Sequence, residues 1–235
     1  MSFVTAVIVA AGKGTRMGAD IDKLFLEVCG RPIIAHTWAA FDSSPEINHI
    51  VLVVRPDLRP EFDKIAATDH FKKPFTYSEG GAERQNSVWN GLMRVPPQTE
   101  IVAIQDGARP CTTHKIISDC IAAAREVGAS VAAQRVTDTL KEIGQNSLIE
   151  RHLDRSKVWS VQTPQVFRKE ILTRALAEVA KQKLSITDDT AACELIGQPV
   201  KLVESITPNP KATSPADLPY LEVLLRKSES PITPR

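Results

Sequence analysis

The 235-residue chain has only four cysteines, Cys29, Cys111, Cys120 and Cys193, and no two of them form a CxxC pair. That speaks against a zinc ribbon and against a disulfide framework, and reduced thiols are expected. An excess of either charge is also missing: 29 Lys and Arg stand against 28 Asp and Glu, a formal balance of +1. No global basic field exists for wrapping nucleic acid, so any cation site has to be built locally. No apolar run approaches the ~18 residues of a membrane span, and no basic segment precedes the first apolar run. Neither membrane anchoring nor export is expected, which leaves the cytoplasm. His36, His49, His70, His114 and His152 lack metal-ligand spacing and read as packing or surface residues. No Pro/Gly/Ser-rich linker, internal repeat or low-complexity tract divides the chain. The sequence therefore reads as one domain, residues 1–227, followed by a frayed tail at 228–235.

What is present is an ordinary globular balance, 43% hydrophobic and 24% charged. Apolar runs rich in β-branched residues recur at Val4 to Ala10, His49 to Val54, Glu100 to Gln105 and Ala129 to Gln134. Their hydrophobicity is continuous rather than alternating, as in strands covered on both faces. Between them, RPIIAHTWAAF, ERQNSVWNGLM and THKIISDCIAAAREVG carry apolar residues near a 3.6 period, and Gly128 closes the last as a helix C-cap would. Trp38 and Trp89 fall on these apolar faces, where core packing is their expected role. The alternation predicts an α/β fold with a doubly wound, mostly parallel, Rossmann-like sheet. From Val136 to Val166 the rhythm changes around a turn at Gly144 to Ser147, and an extended hairpin projecting from the sheet is expected. Helical patterns at Lys169 to Lys183 and Asp188 to Ile196, a short strand VKLVE and a final helix near Pro215 complete the chain.

The stretch AAGKGTRMG (Ala10 to Gly18) follows the first strand directly. It misses the Walker A spacing because Gly14, not Ser or Thr, follows Lys13, and it misses the dinucleotide fingerprint because its glycines read GxGxxxG. Arg16 and Lys23 lie on a polar stretch before the next helix, where two cations on a glycine loop would surround a triphosphate and the charge developing at its α-phosphorus. A solvated loop would carry the same charges. Arg84, Arg109, Arg155 and Lys211 supply further cations; Arg84 follows Gly80-Gly81 and Arg109 follows a strand, at the carboxyl edge where open parallel sheets bind ligands. Asp106, the one acidic residue among them, suits a ribose hydroxyl, a phosphate-bridging Mg2+, or equally a turn cap. Asp188 and Asp189 read as a cap and an acidic first turn rather than paired catalytic carboxylates.

Taken together, AAGKGTRMG with Lys23, GGAERQNSV (Gly80 to Val88), DGARP (Asp106 to Pro110), VTDTLK (Val136 to Lys141), TPQVF (Thr163 to Phe167) and TDDTA (Thr187 to Ala191) resemble the 2-C-methyl-D-erythritol 4-phosphate cytidylyltransferases. The opening loop alone would indicate only the wider nucleotidyltransferase superfamily. The resemblance implies transfer of CMP from CTP to the polyol phosphate, with release of pyrophosphate and use of Mg2+, in the non-mevalonate route to isoprenoids. It implies that Ala10, Ala11, Gly12 and Gly14 cradle CTP, that Gly81, Ala82 and Ser87 enclose the cytosine, and that Arg16 and Lys23 stabilise the transition state. Asp106 then matches the ribose and magnesium-side carboxylate, with the metal held mainly by the CTP phosphates. Arg109 and Thr163 match the substrate side, and Thr139, Arg155 and Lys211 match residues that position the polyol phosphate. The segment 136–166 is then a homodimer arm. Two stretches depart from the family: Asp22-Lys23-Leu24 stands where Pro-Lys-Gln is frequent, and Pro208-Asn209-Pro210-Lys211 stands where Asp-x-Ile-Lys is usual, without its carboxylate.

A phosphate monoester is already ionised near neutral pH, so such a transfer needs no general base; it needs cations and backbone N–H groups around the phosphorus. Two rivals remain at the level of sequence. One is a cytidylyltransferase for another polyol phosphate such as ribitol 5-phosphate, against which the Ala108 of DGARP argues. The other is a catalytically silent nucleotide-binding protein, against which the retained Arg16 and Lys23 argue.

Overall fold

The computed structural model describes residues 2–12 and 22–229. The first strand, β1 (Phe3–Val9), is followed by a short hairpin of β2 (Glu27–Val28) and β3 (Arg31–Pro32) that leads into α1 (Ile33–Asp42). The chain then forms β4 (His49–Val54), α2 (Arg59–Asp69), β5 (Phe75–Glu79), α3 (Arg84–Leu92), β6 (Thr99–Asp106), α4 (His114–Val127) and β7 (Ala129–Arg135). A small pair, β8 (Lys141–Ile143) and β9 (Ile149–His152), precedes β10 (Trp159–Arg168), α5 (Lys169–Gln182), α6 (Asp189–Glu194), β11 (Lys201–Glu204) and α7 (Leu218–Glu229).

The main sheet has the order β11-β7-β10-β6-β1-β4-β5. Every neighbouring pair in it is parallel except those of β10, which runs antiparallel to both β6 and β7. Continuous apolar runs are explained by the two layers that cover the sheet. Along β1, Val4, Ala6 and Ile8 point to the face of α1, α2, α4 and α7. Val7 points to the opposite face, that of α3, α5 and α6. Strands β4 and β6 divide in the same way, so period-2 side-chain alternation buries both sets. Trp38 is fully buried and stacks on Phe71 with ring centroids 4.1 Å apart. Gly128 is the C-cap of α4 at φ 101°, a left-handed position that favours glycine. Among the described residues no helix is long and apolar enough to cross a membrane.

Four elements differ from the sequence reading. Helix α2 and strand β5 were not anticipated: α2 buries only Phe62 and Ile65, and β5 is a half-exposed edge strand, so neither carries a strong periodic signal. The segment expected to be one projecting hairpin, 136–166, is split. Only β8 and β9 pair apart from the sheet, around a turn where Asn146 and Ser147 have positive φ. From Trp159 onward the chain re-enters the main sheet as β10, and a register shift between Val161 and Gln165 accommodates Pro164 inside the strand. The final helix runs to Glu229, past the expected start of the tail.

This topology fixes where a ligand can sit. From β1 the chain proceeds outward through β4 to β5, and α3 then carries it back to β6 on the other side of β1. The strand order thus reverses between β1 and β6, the place where open parallel sheets form a ligand crevice beyond the carboxyl ends.

Candidate active site

A cleft of about 560 Å³ occupies that crevice. One wall is Ala10, Ala11 and Gly12 at the end of β1, another is Gly80 to Arg84 with Ser87, and the floor is Asp106, Gly107 and Ala108. Lys23, Leu24, Arg55, Pro56 and Lys211 close the remaining side. The two loops meet tightly: a Cβ on Gly80 would lie 2.2 Å from the Ala11 Cβ, so only glycine allows this approach. The Gly81 N–H donates to Ser87 Oγ at 3.0 Å, and the Ser87 hydroxyl donates to Glu83 O at 3.2 Å. Ser87 thus holds the shape of the Gly80–Glu83 turn as well as lining the cleft. Helix α3 begins here with a capping box between Glu83 and Asn86.

The floor is a charged network. Lys211 Nζ lies 2.8 Å from Asp106 Oδ2, Arg84 Nε 3.3 Å from Oδ1, and Arg109 Nε 3.7 Å from Oδ2. Burial alone would raise the Asp106 carboxyl, but Lys211 and then Arg84 outweigh it and hold the group at about 2. The Asp106 N–H donates to Thr163 Oγ1 at 3.1 Å, which fixes the end of β6 against β10. The other end of the Arg84 guanidinium donates to Asp189 Oδ2 at 2.8 Å. Asp189 is completely buried, which pushes its carboxyl above the ordinary carboxylate range against the pull of Arg84. Arginine keeps its proton throughout.

Asp188 is the N-cap of α6, accepting from the Ala191 N–H at 3.1 Å, and Asp189 lies in the acidic first turn, both as expected. Asp189 has a second role that the sequence did not show. It is the buried counter-charge of Arg84, 105 positions away, and no local pattern announces that distance.

The segment 208–213 forms the far wall. Asn209 is buried and donates through Nδ2 to Thr163 O at 2.9 Å, while its Oδ1 accepts from Thr112 Oγ1 at 3.2 Å. Its backbone carbonyl accepts from Arg109 Nη1 at 2.7 Å. The Ala212 N–H donates to Ala108 O at 2.8 Å, and the Ala212 carbonyl accepts from Lys23 Nζ at 3.0 Å. The segment therefore forms a strap in which the Asn209 and Ala212 carbonyls hold Arg109 and Lys23 and Lys211 meets Asp106.

Of the residues singled out from sequence, Ala10, Ala11, Gly12, Lys23, Gly81, Ala82, Ser87, Asp106 and Lys211 line this one cleft. Arg109 and Thr163 stand directly behind Asp106. Gly14 and Arg16 lie outside the described residues. Thr139 and Arg155 do not line the cleft of their own chain; both are exposed, and Arg155 Nη1 donates to Thr137 O at 2.6 Å. Sequence reasoning missed Arg55 and Asn209. The signal for Arg55 was its position at the end of the strand next to β1; Asn209 had none beyond its two flanking prolines.

Among the described residues the donor set does not suit a resident metal, since no group of three His, Cys, Asp or Glu could hold an ion. Asp106 is already engaged by three cations, so its oxygens do not offer the arrangement a protein-held divalent cation needs. Burial pushes the buried Cys193 thiol and the partly buried Cys111 thiol up to about 12, which keeps both in the weakly nucleophilic protonated form.

Comparison with known proteins agrees with this architecture. Residues 4–227 match the model of the 2-C-methyl-D-erythritol 4-phosphate cytidylyltransferase family. Proteins of that name from Geobacillus thermodenitrificans and from a Nostoc species are 40% and 39% identical over 220 and 224 residues. The first alignment covers 94% of this chain and 96% of the relative, the second 95% and 98%. The crystal structure of 4-diphosphocytidyl-2C-methyl-D-erythritol synthase from Anaerococcus prevotii superposes with a TM-score of 0.86 at 29% identity, covering 96% of both chains. That of the cytidylyltransferase from Thermus thermophilus superposes with a TM-score of 0.78 at 30% identity, covering 96% of this chain and all of that one.

Proposed function

The chain belongs to the 2-C-methyl-D-erythritol 4-phosphate cytidylyltransferase family, and we propose that the cleft at the ends of β1 and β6 is where it acts. The protein is a CTP-dependent cytidylyltransferase: it transfers CMP from CTP to 2-C-methyl-D-erythritol 4-phosphate in the isoprenoid pathway. A phosphate oxygen of the acceptor forms a bond to the α-phosphorus, and the bond from that phosphorus to the β-phosphate oxygen breaks to release pyrophosphate.

The observation that carries the site assignment is the convergence of Lys23 and Lys211 on one crevice with the glycine-walled turn Gly80–Ala82. The walls Ala10 to Gly12 present backbone close to the phosphates, and Gly81, Ala82 and Ser87 enclose the cytosine. Asp106, held ionised by its neighbours, accepts from a ribose hydroxyl, and Lys211 and Arg109 face the acceptor phosphate. Lys23, together with Arg16, neutralises charge that develops at the transferred phosphoryl group and on departing pyrophosphate, where preorganised donors act most strongly. A divalent cation bound to the triphosphate would supply neutralisation of phosphate charge.

The working unit is proposed to be a homodimer. Strands β8 and β9 form an exposed two-stranded projection in which Ile143, Leu148 and Ile149 are 63%, 68% and 67% exposed. Such a ribbon is marginal by itself, and pairing with the same element across a two-fold axis would cover it. Thr139 and Arg155 then serve the neighbouring subunit's cleft. Both substrates are soluble phosphates, so a cytoplasmic location is proposed.

Pyrophosphate release measured with CTP, UTP and ATP against both methylerythritol and ribitol phosphates tests the reading, with and without a divalent cation. CTP with the methylerythritol acceptor is expected to give the highest kcat/KM, because UTP reverses the donor and acceptor pattern at the base edge and leaves enclosed groups unpaired. Faster transfer to the ribitol acceptor would overturn the substrate assignment, and equal use of CTP and UTP would overturn the role of Gly81 to Ser87.

A further inference from the structure

Lys23 stands on one turn of 3-10 helix, Lys23–Phe25, whose start is fixed by Asp22. Asp22 uses its two carboxylate oxygens for different tasks. Oδ1 caps the turn by accepting from the Leu24 N–H at 3.1 Å, while the backbone carbonyl of Asp22 accepts from the Phe25 N–H at 3.0 Å. Oδ2 is shut off from solvent and makes no directed hydrogen bond among the described residues. What faces it is a guanidinium: Arg55 Nη1 lies 3.1 Å away, with the two side chains only 22% and 9% exposed. Arg55 is itself anchored at the end of β4, where its carbonyl accepts from the Leu58 N–H at 3.1 Å and its Nε lies 3.4 Å from Asp57 Oδ1. The turn is therefore held from two sides, from β4 through Asp22 and Arg55 and from the far wall through Lys23 Nζ on Ala212 O.

We infer that Arg55 is a positioning residue for cytidylyl transfer, which fixes the turn of Lys23 in the cleft wall through the carboxylate of Asp22. The inference rests on the proposed role of Lys23 in the transferred phosphoryl group's charge. Its physical basis is an asymmetry. Removing Arg55 leaves a carboxylate oxygen out of water without its cation, and the turn must shift to hydrate it, taking Lys23 along. Removing the charge at Asp22 as well abolishes that demand. Asn at position 22 serves for this, because its side-chain oxygen caps a helical turn as well as aspartate does.

The test is a double-mutant cycle of Arg55→Gln and Asp22→Asn, with two readouts: steady-state kinetics, and the rate at which N-hydroxysuccinimide acetate acetylates Lys23, followed by peptide mass spectrometry. Arg55→Gln is expected to lower kcat about tenfold or more with the KM for CTP changed less than about threefold, and to speed acetylation of Lys23. The double variant is expected to recover most of both properties, since the loss lies in the stranded carboxylate rather than in a missing arginine. Additive losses, or an unaltered acetylation rate in Arg55→Gln, would overturn the inference. A rise in KM for CTP that persists in the double variant would do the same, making Arg55 a direct nucleotide contact. Acetylation does not depend on turnover, so a wild-type enzyme that released no pyrophosphate would count against the function while the labelling still decided the role of Arg55.

Discussion

The floor of the cleft and the β8–β9 hairpin invert the usual surface pattern in opposite directions. In the cleft, charge is buried: Asp189 has no exposure, and Asp106 is 8% exposed while ringed by Lys211, Arg84 and Arg109. In the hairpin, apolar side chains stand in solvent and the ion pair Arg151–Glu142, 2.5 Å long, is 68% and 46% exposed. Arg84–Asp189 and Arg151–Glu142 are chemically the same contact. Burial alone separates a pair whose disruption strands a charge from one that water replaces at little cost. On the cleft floor Asp106 and Asp189 are paired with cations of the same chain, whereas the hairpin leaves its apolar surface uncovered within one chain.

That contrast can be broken most forcibly at Asp189. Asp189→Ala is expected to destabilise the protein by about 3 kcal/mol or more, read by chemical denaturation, because it leaves Arg84 half-buried with one partner fewer. A loss below about 1 kcal/mol would make the buried pair equivalent to an exposed one.

Lys23→Ala should reduce kcat on the order of 100-fold with a smaller effect on CTP binding. An unchanged kcat with a large rise in KM would make Lys23 a ground-state phosphate binder. Combined with the hairpin, this variant also tests whether one chain completes another's cleft. Lys23→Ala and Arg155→Ala dimers should each be nearly inactive, and after subunit exchange half the dimers would be mixed with one intact site each, so about a quarter of wild-type activity should return. Confirmed exchange without recovery would confine Arg155 to its own chain.

Asp106 links the cleft to pH. Its folded value of about 2 lies below the ordinary 3.8, so its contribution is present in full above the unfolded value and is lost as pH falls from about 4 to about 2. The difference corresponds to about 2 kcal/mol. Stability measured across that interval should be flatter in Asp106→Asn than in the wild type, and parallel curves would contradict the shift. The smallest effect is expected at the hairpin, where Arg151→Ala should change stability by less than about 1 kcal/mol and lose even that in high salt.

Much of the fold and part of the cleft are legible in the amino-acid sequence. The continuous runs in β1, β4 and β6 follow from burial on two faces, and Gly128 marks the end of α4, because these signals are local. The cleft's glycines and Lys23 can be picked out from motif spacing for the same reason. Strand β10 escapes because Pro164 reads as a strand breaker until a bulge is available to hold it. Helix α2 escapes because two buried residues make too faint a stripe.

By itself the sequence determined the two-faced strands, the α/β alternation, the glycine-rich opening of the cleft and the family motifs, all of which depend on residues within a few positions of one another. The tertiary structure alone decided the partners: that Arg84 bridges Asp106 and Asp189, that Asn209 ties Thr163 to Thr112, that Arg55 faces Asp22, and that Lys23 reaches Ala212. The reason is physical. Hydrophobic burial and helix capping leave periodic or adjacent traces in a chain, whereas a charge pair acts through space at about 3 Å and is indifferent to how many residues lie between its members.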